Sequence, residues 1–232
     1  MLTTRYAPVE ITLIVLVGAG LTMWCGYYWH YWAILPALLG LALLSFYRNP
    51  PRQIPAGDNL LVAPADGKVV EISREITNSD SGAPRLRIMI FLSVFDVHVN
   101  RSPCAGRVTE VNYAPGEFLN ALRPEADTRN ESNTLHIEPR APIPGPIRVR
   151  QIAGVLARRI VCHVSVGTQL ATGQRFGMIK LGSRTELCLP ESPDWELTVG
   201  VGDTVRAGHT VLARWHRGNT ELATDMPNME TA

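Results

Sequence analysis

Apolar residues follow two different patterns along the 232-residue chain. From Ile11 to Tyr47 the chain is strongly apolar, and no Lys, Arg, Asp or Glu occurs between Glu10 and Arg48. An aromatic cluster at residues 26–32, of the kind that lies at a membrane–water interface, divides this run. Each half has roughly 16–18 residues, at the short end of what crosses a hydrocarbon core of about 30 Å. The pattern predicts a two-helix membrane hairpin.

Basic residues flank the hairpin on both sides. Arg5 precedes its first half, and Arg48 and Arg52 follow its second half. Because cytoplasmic flanks are enriched in Lys and Arg, both ends are expected in the cytoplasm, with the hairpin in the cell (inner) membrane. A secretory signal or a buried soluble hairpin is the alternative. However, no small-residue cleavage site ends the first half, and a signal would leave the second half unexplained.

Beyond a proline-rich linker at residues 48–55, the pattern changes to short apolar runs separated by Gly, Pro and Asn. These runs have the length and β-branched content of strands; they are Leu60–Val62, Gly67–Ile72, Leu86–Leu92, Gly106–Val111 and Thr134–Glu138. Helix is expected only as a turn or two within residues 118–126. We therefore expect a hairpin and linker at residues 1–53, followed by a mostly β domain of sandwich or barrel type at residues 54–232.

Two similar segments occur in the second half of the chain. Val166–Gly173 and Val201–Gly208 share the same Gly-to-Gly spacing, and each leads into an apolar run. They predict two hammerhead-like turns, similar to those of lipoyl- and biotinyl-carrier β-sandwiches; ordinary β-turns are the alternative. A non-enzymatic, membrane-anchored carrier or adaptor domain is therefore a rival interpretation. Such a domain normally presents a lysine in an exposed hairpin, and none is evident.

Composition narrows the range of functions. The formal net charge of +1 argues against nucleic-acid binding driven by bulk electrostatics. The four cysteines are widely spaced, which indicates reduced thiols and neither a zinc site nor a disulfide framework. The histidines and carboxylates lack metal-ligand spacing, so nothing in the sequence requires a metal.

A Gly182–Ser183 pair interrupts two apolar, strand-like runs. Its serine hydroxyl can attack the carbonyl of residue 182, and the resulting N-to-O acyl shift gives an ester. Removal of the α-proton of Ser183 then expels the upstream chain as a carboxylate and leaves dehydroalanine, which hydrolyses to a pyruvoyl group. Taken alone, a Gly-Ser pair favours an ordinary bulge or turn over self-cleavage.

The segment Phe95–Asn100 alternates between apolar and polar residues. This alternation predicts a strand from whose polar face His98 projects. With an ordinary pKa of about 6.5, such a histidine can accept and return protons near neutrality.

Three segments together resemble the phosphatidylserine decarboxylases, specifically their short, compact branch. They are Pro64–Gly67, Phe95–Pro103 and Arg175–Ser183, and they occur in family order. Longer members usually carry Gly-Ser-Thr at the cleavage point and a second histidine three residues after the first. This chain has Arg184 and Arg101 at those positions, so His98 is expected to carry the acid–base work alone.

The resemblance implies decarboxylation of phosphatidylserine to phosphatidylethanolamine and CO2, with a pyruvoyl group derived from Ser183 as the cofactor. Autocatalytic serinolysis at Gly182–Ser183 would give an associated β chain (residues 1–182) and α chain (residues 183–232). The pyruvoyl group would form a Schiff base with the amine of the substrate and accept the electrons released with CO2.

The resemblance also implies a catalytic triad of Asp66, His98 and Ser183, in which Asp66 orients the imidazole. Asn100 and Arg101 are candidate ligands for the substrate phosphodiester. A serine ether lipid is an alternative substrate, because the chemistry touches only the headgroup, and an oligomer is possible. The hairpin is expected only to hold the catalytic domain against the lipid surface.

Overall fold

The computed structural model of the chain describes residues 6–76, 84–155, 159–180 and 183–216. Helix α1 (Pro8–Trp29) and helix α2 (Ile34–Phe46) are joined by a 3₁₀ turn at His30–Ala33. The two helices pack antiparallel and approach each other closely at Gly18 and Gly40. A Cβ atom added to Gly18 would lie only 3.9 Å from Cα of Gly40. Residues 8–46 are long and apolar enough to cross a membrane. This agrees with the predicted hairpin.

The rest of the described chain consists mainly of β-strands. In chain order they are β1 (Leu60–Val62), β2 (Gly67–Ile76), β3 (Pro84–Leu92), β4 (Val99–Arg101), β5 (Gly106–Ala114), β6 (Ser132–Pro139), β7 (Ile147–Ile152), β8 (Ile160–Cys162), β9 (Gln169–Leu170), β10 (Arg175–Ile179), β11 (Ser183–Pro190), β12 (Trp195–Leu197), β13 (Thr204–Val205) and β14 (Val211–Trp215). A single helical turn, α3 (Ala126–Arg129), precedes β6. The mostly β prediction is confirmed.

Eight strands form one curled antiparallel sheet, in the order β13-β2-β3-β11-β7-β6-β5-β9. Two three-stranded sheets, β1-β14-β12 and β4-β10-β8, complete the fold. The main core contains fully buried apolar residues from these sheets, among them Ile88, Leu135, Val149, Phe176 and Leu187. Burial of so many apolar side chains supplies the main driving force for this fold.

The strand order is symmetric about the β11–β7 pair, which indicates an internal duplication. β9 pairs with β5 at one edge of the large sheet, and β13 pairs with β2 at the other. In the two predicted hammerhead turns, the amides of Gly167 and Gly202 donate to the carbonyls of Val108 and Val69, respectively. Both glycines have positive φ, a conformation that other residues rarely adopt.

The duplication also includes the strands that pair with these turns. Pro64–Val69 and Pro103–Val108 share a Pro-x-x-Gly-basic-x pattern and make equivalent contacts. Asp66 in the first copy corresponds to Ala105 in the second copy. The acidic side chain is therefore not required by the turn itself, because the second copy folds without it.

One predicted strand has a different extent. The alternating segment was expected to be extended from Phe95, but β4 begins at Val99 and residues 94–96 form a turn. The Asp96 carboxylate accepts a hydrogen bond of 2.8 Å from the Ser93 amide and stabilises this turn. As a result, His98 is fully buried and does not lie on an exposed polar face.

Candidate active site

The side chain of Asn100 connects the first two sequence motifs to the strand that begins at the end of the third. Its amide nitrogen donates to the carbonyl of Pro64 at 3.3 Å and to Oγ1 of Thr185 at 3.2 Å. Its amide oxygen accepts a hydrogen bond of 2.9 Å from Nε2 of Gln151. Asn100 thus connects the Pro64–Gly67 turn, β4 and β11, the strand that Ser183 begins.

The polar network extends further into the core through two amide side chains. Asn133 Nδ2 donates to Gln151 Oε1 at 2.9 Å, and both residues are buried. Loss of one partner from such a network leaves a buried polar group unsatisfied, at a cost of about 1–3 kcal/mol. Neither Gln151 nor Asn133 was singled out from the sequence, since isolated amides on predicted strands carry no signal of a buried network.

Ser183 lies at the start of β11, where it pairs with Leu92 of β3. Its side chain is completely buried, and its Oγ has no hydrogen-bond partner among the described residues. Buried hydroxyls are nearly always hydrogen-bonded, so this one is unusual. The predicted cleavage residue Gly182 lies outside the described residues.

His98 is located beside the strand that leads to Ser183. Its carbonyl accepts a hydrogen bond of 3.1 Å from the amide of Ile179, the last residue of β10. Nδ1 lies 2.9 Å from the carbonyl of Asp96. Because a carbonyl only accepts, this contact assigns the proton to Nδ1 and leaves Nε2 as a free acceptor. Nε2 is buried and has no partner among the described residues.

Burial lowers the pKa of His98 from 6.5 to about 4. The carbonyl and the carboxylate of Asp96 oppose this shift, and the nearby cation of Arg48 adds to it. The imidazole is therefore neutral at pH 7. A neutral ring with a free nitrogen is the form that a general base requires.

Acid should destabilise the folded chain through His98. Between pH 6.5 and about 4, the unfolded chain binds a proton that the folded chain excludes. The stability that the neutral His98 contributes is fully present above pH 6.5 and is lost as the pH falls. The total decrease in the free energy of unfolding is about 3 kcal/mol. Thermal unfolding of an uncleavable Ser183→Ala protein at pH 7 and pH 4.5 measures it, with Ser183→Ala/His98→Leu for comparison. The same pH dependence in both proteins would contradict this assignment.

Asp66 binds groups other than His98 in this structure. Its two carboxylate oxygens accept hydrogen bonds from the Ala207 amide at 2.7 Å and from Arg52 at 2.6 Å. Burial raises the pKa of Asp66, although both donors oppose the shift. The group that holds the His98 ring here is the Asp96 carbonyl. A role for Asp66 in orienting His98 stays a prediction.

The two candidate phosphodiester ligands also have protein partners. Both amide hydrogens of Asn100 are used within the buried network. Arg101 donates to the carbonyls of Gly173 and Pro50 and to the side chain of Asn49. Arg101 thus attaches the linker to the β domain. Phosphate binding by either residue stays a prediction.

Arg184 forms a buried ion cluster on the opposite face of β11. Its guanidinium forms ion pairs with Asp127 and, at 3.1 Å, with Glu186, and it donates to the Ala121 carbonyl at 2.8 Å. Arg184 and Glu186 are almost completely buried. The cluster fixes the loop before α3 onto the sheet next to Ser183.

Comparison with known proteins identifies the family. A family model described as phosphatidylserine decarboxylase matches residues 39–213. A phosphatidylserine decarboxylase proenzyme from Rhodopirellula baltica is 44% identical over 216 residues, 92% of this chain and 88% of that protein. Proteins of the same name are similar as well: one from Nitrosomonas eutropha is 44% identical over 184 residues (79% and 83% covered), and one from Cereibacter sphaeroides is 42% identical over 218 residues (92% and 92%). The chain belongs to the phosphatidylserine decarboxylase family.

Proposed function

We propose that the chain is a membrane-anchored proenzyme that cleaves itself at Gly182–Ser183 and then decarboxylates phosphatidylserine with a pyruvoyl group derived from Ser183. The observation that carries this proposal is that Oγ of Ser183 and Nε2 of His98 are both buried and both lack a hydrogen-bond partner among the described residues. Family membership supports decarboxylation of phosphatidylserine and argues against a non-enzymatic adaptor.

Self-cleavage and formation of the ketone need no reactant other than the chain itself and one water molecule. Nε2 of His98 accepts the proton of the Ser183 hydroxyl, and the oxygen attacks the carbonyl carbon of Gly182. The C–N bond breaks, the amine takes up the proton, and an ester joins the two segments. Nε2 of His98, free again, then removes the α-proton of Ser183; the electron pair forms the Cα–Cβ double bond and the Cβ–O bond breaks, so that the upstream chain leaves as a carboxylate. Hydrolysis of the remaining dehydroalanine releases ammonia and gives the ketone.

The residues around Ser183 fit a pyruvoyl group. The position is fully buried at the start of a central strand, so the strand backbone fixes its orientation. When present, the ketone supplies an electron sink for the pair released with CO2. Nε2 of His98 would accept the proton that the substrate ammonium group loses and later deliver it to the carbon that has lost CO2.

The hairpin supports access to a membrane substrate. Residues 8–46 carry mostly exposed apolar side chains, and the linker begins directly after them. The proposed orientation places both ends and the β domain on the cytoplasmic side, as the flanking arginines favour. The substrate headgroup would then lie at the level of the linker.

Intact-mass measurement of the purified protein tests self-cleavage. We expect two chains, residues 1–182 and residues 183–232, with a ketone in place of the amino terminus of the smaller chain. Denaturing conditions should be required to separate them. Phenylhydrazine should react with the smaller chain and abolish CO2 release from phosphatidylserine vesicles.

The serine variant Ser165→Ala is a matched control, because Ser165 lies in an exposed turn of the same domain. It should be processed as the unmodified protein is. An active enzyme that consists only of the intact chain would refute the proposed maturation. Two chains without a ketone would refute the proposed cofactor but not the cleavage.

A further inference from the structure

The end of the hairpin packs directly against the candidate active site. Phe46, in the last turn of α2, lies in a small apolar cluster with Val97, Val99 and Met178. Val97 and Val99 flank His98 in the chain. The cluster therefore joins the membrane segment to both sides of this histidine.

Phe46 also contacts the imidazole itself. The two ring centroids are 4.2 Å apart, at an interplanar angle of 43°. Phe46 is 8% exposed and His98 is 0% exposed, so the contact is closed to water. Beside it, Arg48 donates to the carbonyl of Phe95 and attaches the start of the linker to the loop that carries His98.

The first helix is attached at a second point. Glu10 of α1 forms an ion pair with Lys180, two residues before Gly182. Lys180 is largely buried, with a side chain 14% exposed. The two helices thus contact the chain on both sides of the chemistry: α2 contacts the histidine, and α1 contacts the segment that leads to the scissile bond.

A general base must be held in a fixed orientation, and these contacts restrict the orientation of the His98 ring. One hydrogen bond, from Nδ1 to the Asp96 carbonyl, does not by itself stop the ring from tilting. A packed aromatic ring restricts the tilt and keeps water away from the side of the imidazole that it contacts. Small errors in placement are costly, since about 1 Å of misplacement can reduce a rate by about 100-fold.

We propose that Phe46 is a positioning residue for His98, and that the membrane hairpin in this way completes the base used in self-cleavage. This inference rests on the proposed function, and it gives the hairpin a task beyond anchoring. Maturation then depends on the hairpin being folded against the β domain, so an unassembled precursor remains uncleaved.

The first test measures the ring and does not depend on activity. Histidine side-chain NMR in the uncleavable Ser183→Ala background reports the tautomer and the titration of His98. With Phe46 present, Nε2 should be unprotonated and the pKa should be near 4. Phe46→Ala admits water, so the pKa should rise towards about 6.5 and the tautomers should mix. The charged groups that act on this ring, Asp96 and Arg48, are unchanged in the variant.

The second test measures processing in the full chain in detergent micelles. Phe46→Ala should slow the appearance of the two fragments at pH 7.5 by about tenfold or more, with a further loss at pH 5.5. Phe46→Leu keeps most of the apolar volume and should recover most of the rate. Tyr31→Ala removes a ring that is 93% exposed at the far end of the hairpin, and it should behave as the unmodified protein does.

The outcomes separate this inference from the proposed function. If the unmodified chain fails to cleave, the proposed function is wrong. If it cleaves while Phe46→Ala shows the same rate, pH profile and His98 titration, the role of Phe46 is wrong. If thermal unfolding shows that Phe46→Ala does not fold, the less severe truncation Phe46→Val decides by the same titration, where a shift towards 6.5 supports the role and an unchanged value of about 4 overturns it.

Discussion

Replacement of His98 by alanine should leave the protein as an uncleaved 232-residue chain under conditions in which the unmodified protein is fully processed. The expected decrease in the cleavage rate is about 10²- to 10⁴-fold, the usual contribution of a positioned general base. No other histidine in the described part of the chain is both fully buried and left with an unpartnered ring nitrogen. The measurement is the time course of fragment formation on denaturing gels.

Three further variants are compared with His98→Ala. Ser183→Ala removes the nucleophile and therefore gives the background signal on the gels in the absence of cleavage. His136→Ala removes a histidine of the large sheet, paired with Glu110, and should be processed normally. Asp66→Ala should also accumulate precursor, because the carboxylate holds both Arg52 and the turn at Ala207. Normal processing of His98→Ala would exclude the histidine as the base, and normal processing of Asp66→Ala would exclude that carboxylate from maturation.

Arg184→Ala should lower the free energy of unfolding by about 3–5 kcal/mol. Removal of the guanidinium leaves the carboxylate of Glu186 buried, with two arginines at 3.9 Å as its remaining ion-pair partners. Asp127 and the carbonyl of Ala121 lose the same partner. Denaturant titration in the Ser183→Ala background measures the change without interference from cleavage.

An exposed ion pair provides the control for Arg184. Arg74 pairs with Glu191 at 2.6 Å, but its side chain is 78% exposed. Arg74→Ala should therefore cost no more than about 1 kcal/mol, because water screens exposed pairs. Equal effects of the two substitutions would mean that burial does not determine the strength of the Arg184 cluster.

Local pattern was sufficient to predict most of the architecture. Runs of β-branched residues located β1, β2, β3, β5 and β6, and the uncharged stretch before Arg48 located the hairpin. The repeated glycines at the two hammerhead turns revealed one of the two pairs of segments that the duplication relates. The other pair was present in the sequence as Pro64–Val69 and Pro103–Val108, where a proline and a glycine recur at the same spacing.

The alternation of apolar and polar residues predicted the wrong environment for His98. The pattern from Phe95 to Asn100 is that of a half-exposed strand, but the side chain of Asp96 stabilises a turn through the Ser93 amide and the segment turns inward. Asn100 corresponds in the duplication to Leu61, a fully buried core residue. Asn100 can be recognised as a core position only after the two copies are aligned. Without that alignment, the sequence suggested that Asn100 is an exposed ligand for the substrate phosphodiester.

Contacts between distant parts of the chain lay beyond any local pattern. The Phe46 ring meets His98 because the end of α2 folds back onto β4, and nothing in the sequence near either residue records that contact. The same holds for Glu10 and Lys180, which are separated by most of the chain. Such contacts depend on the direction in which the hairpin leaves the β domain, where hydrogen bonds of Arg48, Pro50 and Arg52 hold the linker.

The strand order has a consequence for the two fragments that cleavage would produce. In residues 183–232, β11 lies between β3 and β7, β13 pairs with β2, and β14 pairs with β1. The smaller fragment is interwoven with the larger one at three separate places. It could not dissociate without disassembly of the eight-stranded sheet and of the β1-β14-β12 sheet, so differently tagged enzymes mixed in one solution should never exchange their smaller chains. The proposed pyruvoyl group on that chain would be retained for the lifetime of the fold, and a damaged group could be replaced only by synthesis of a new precursor.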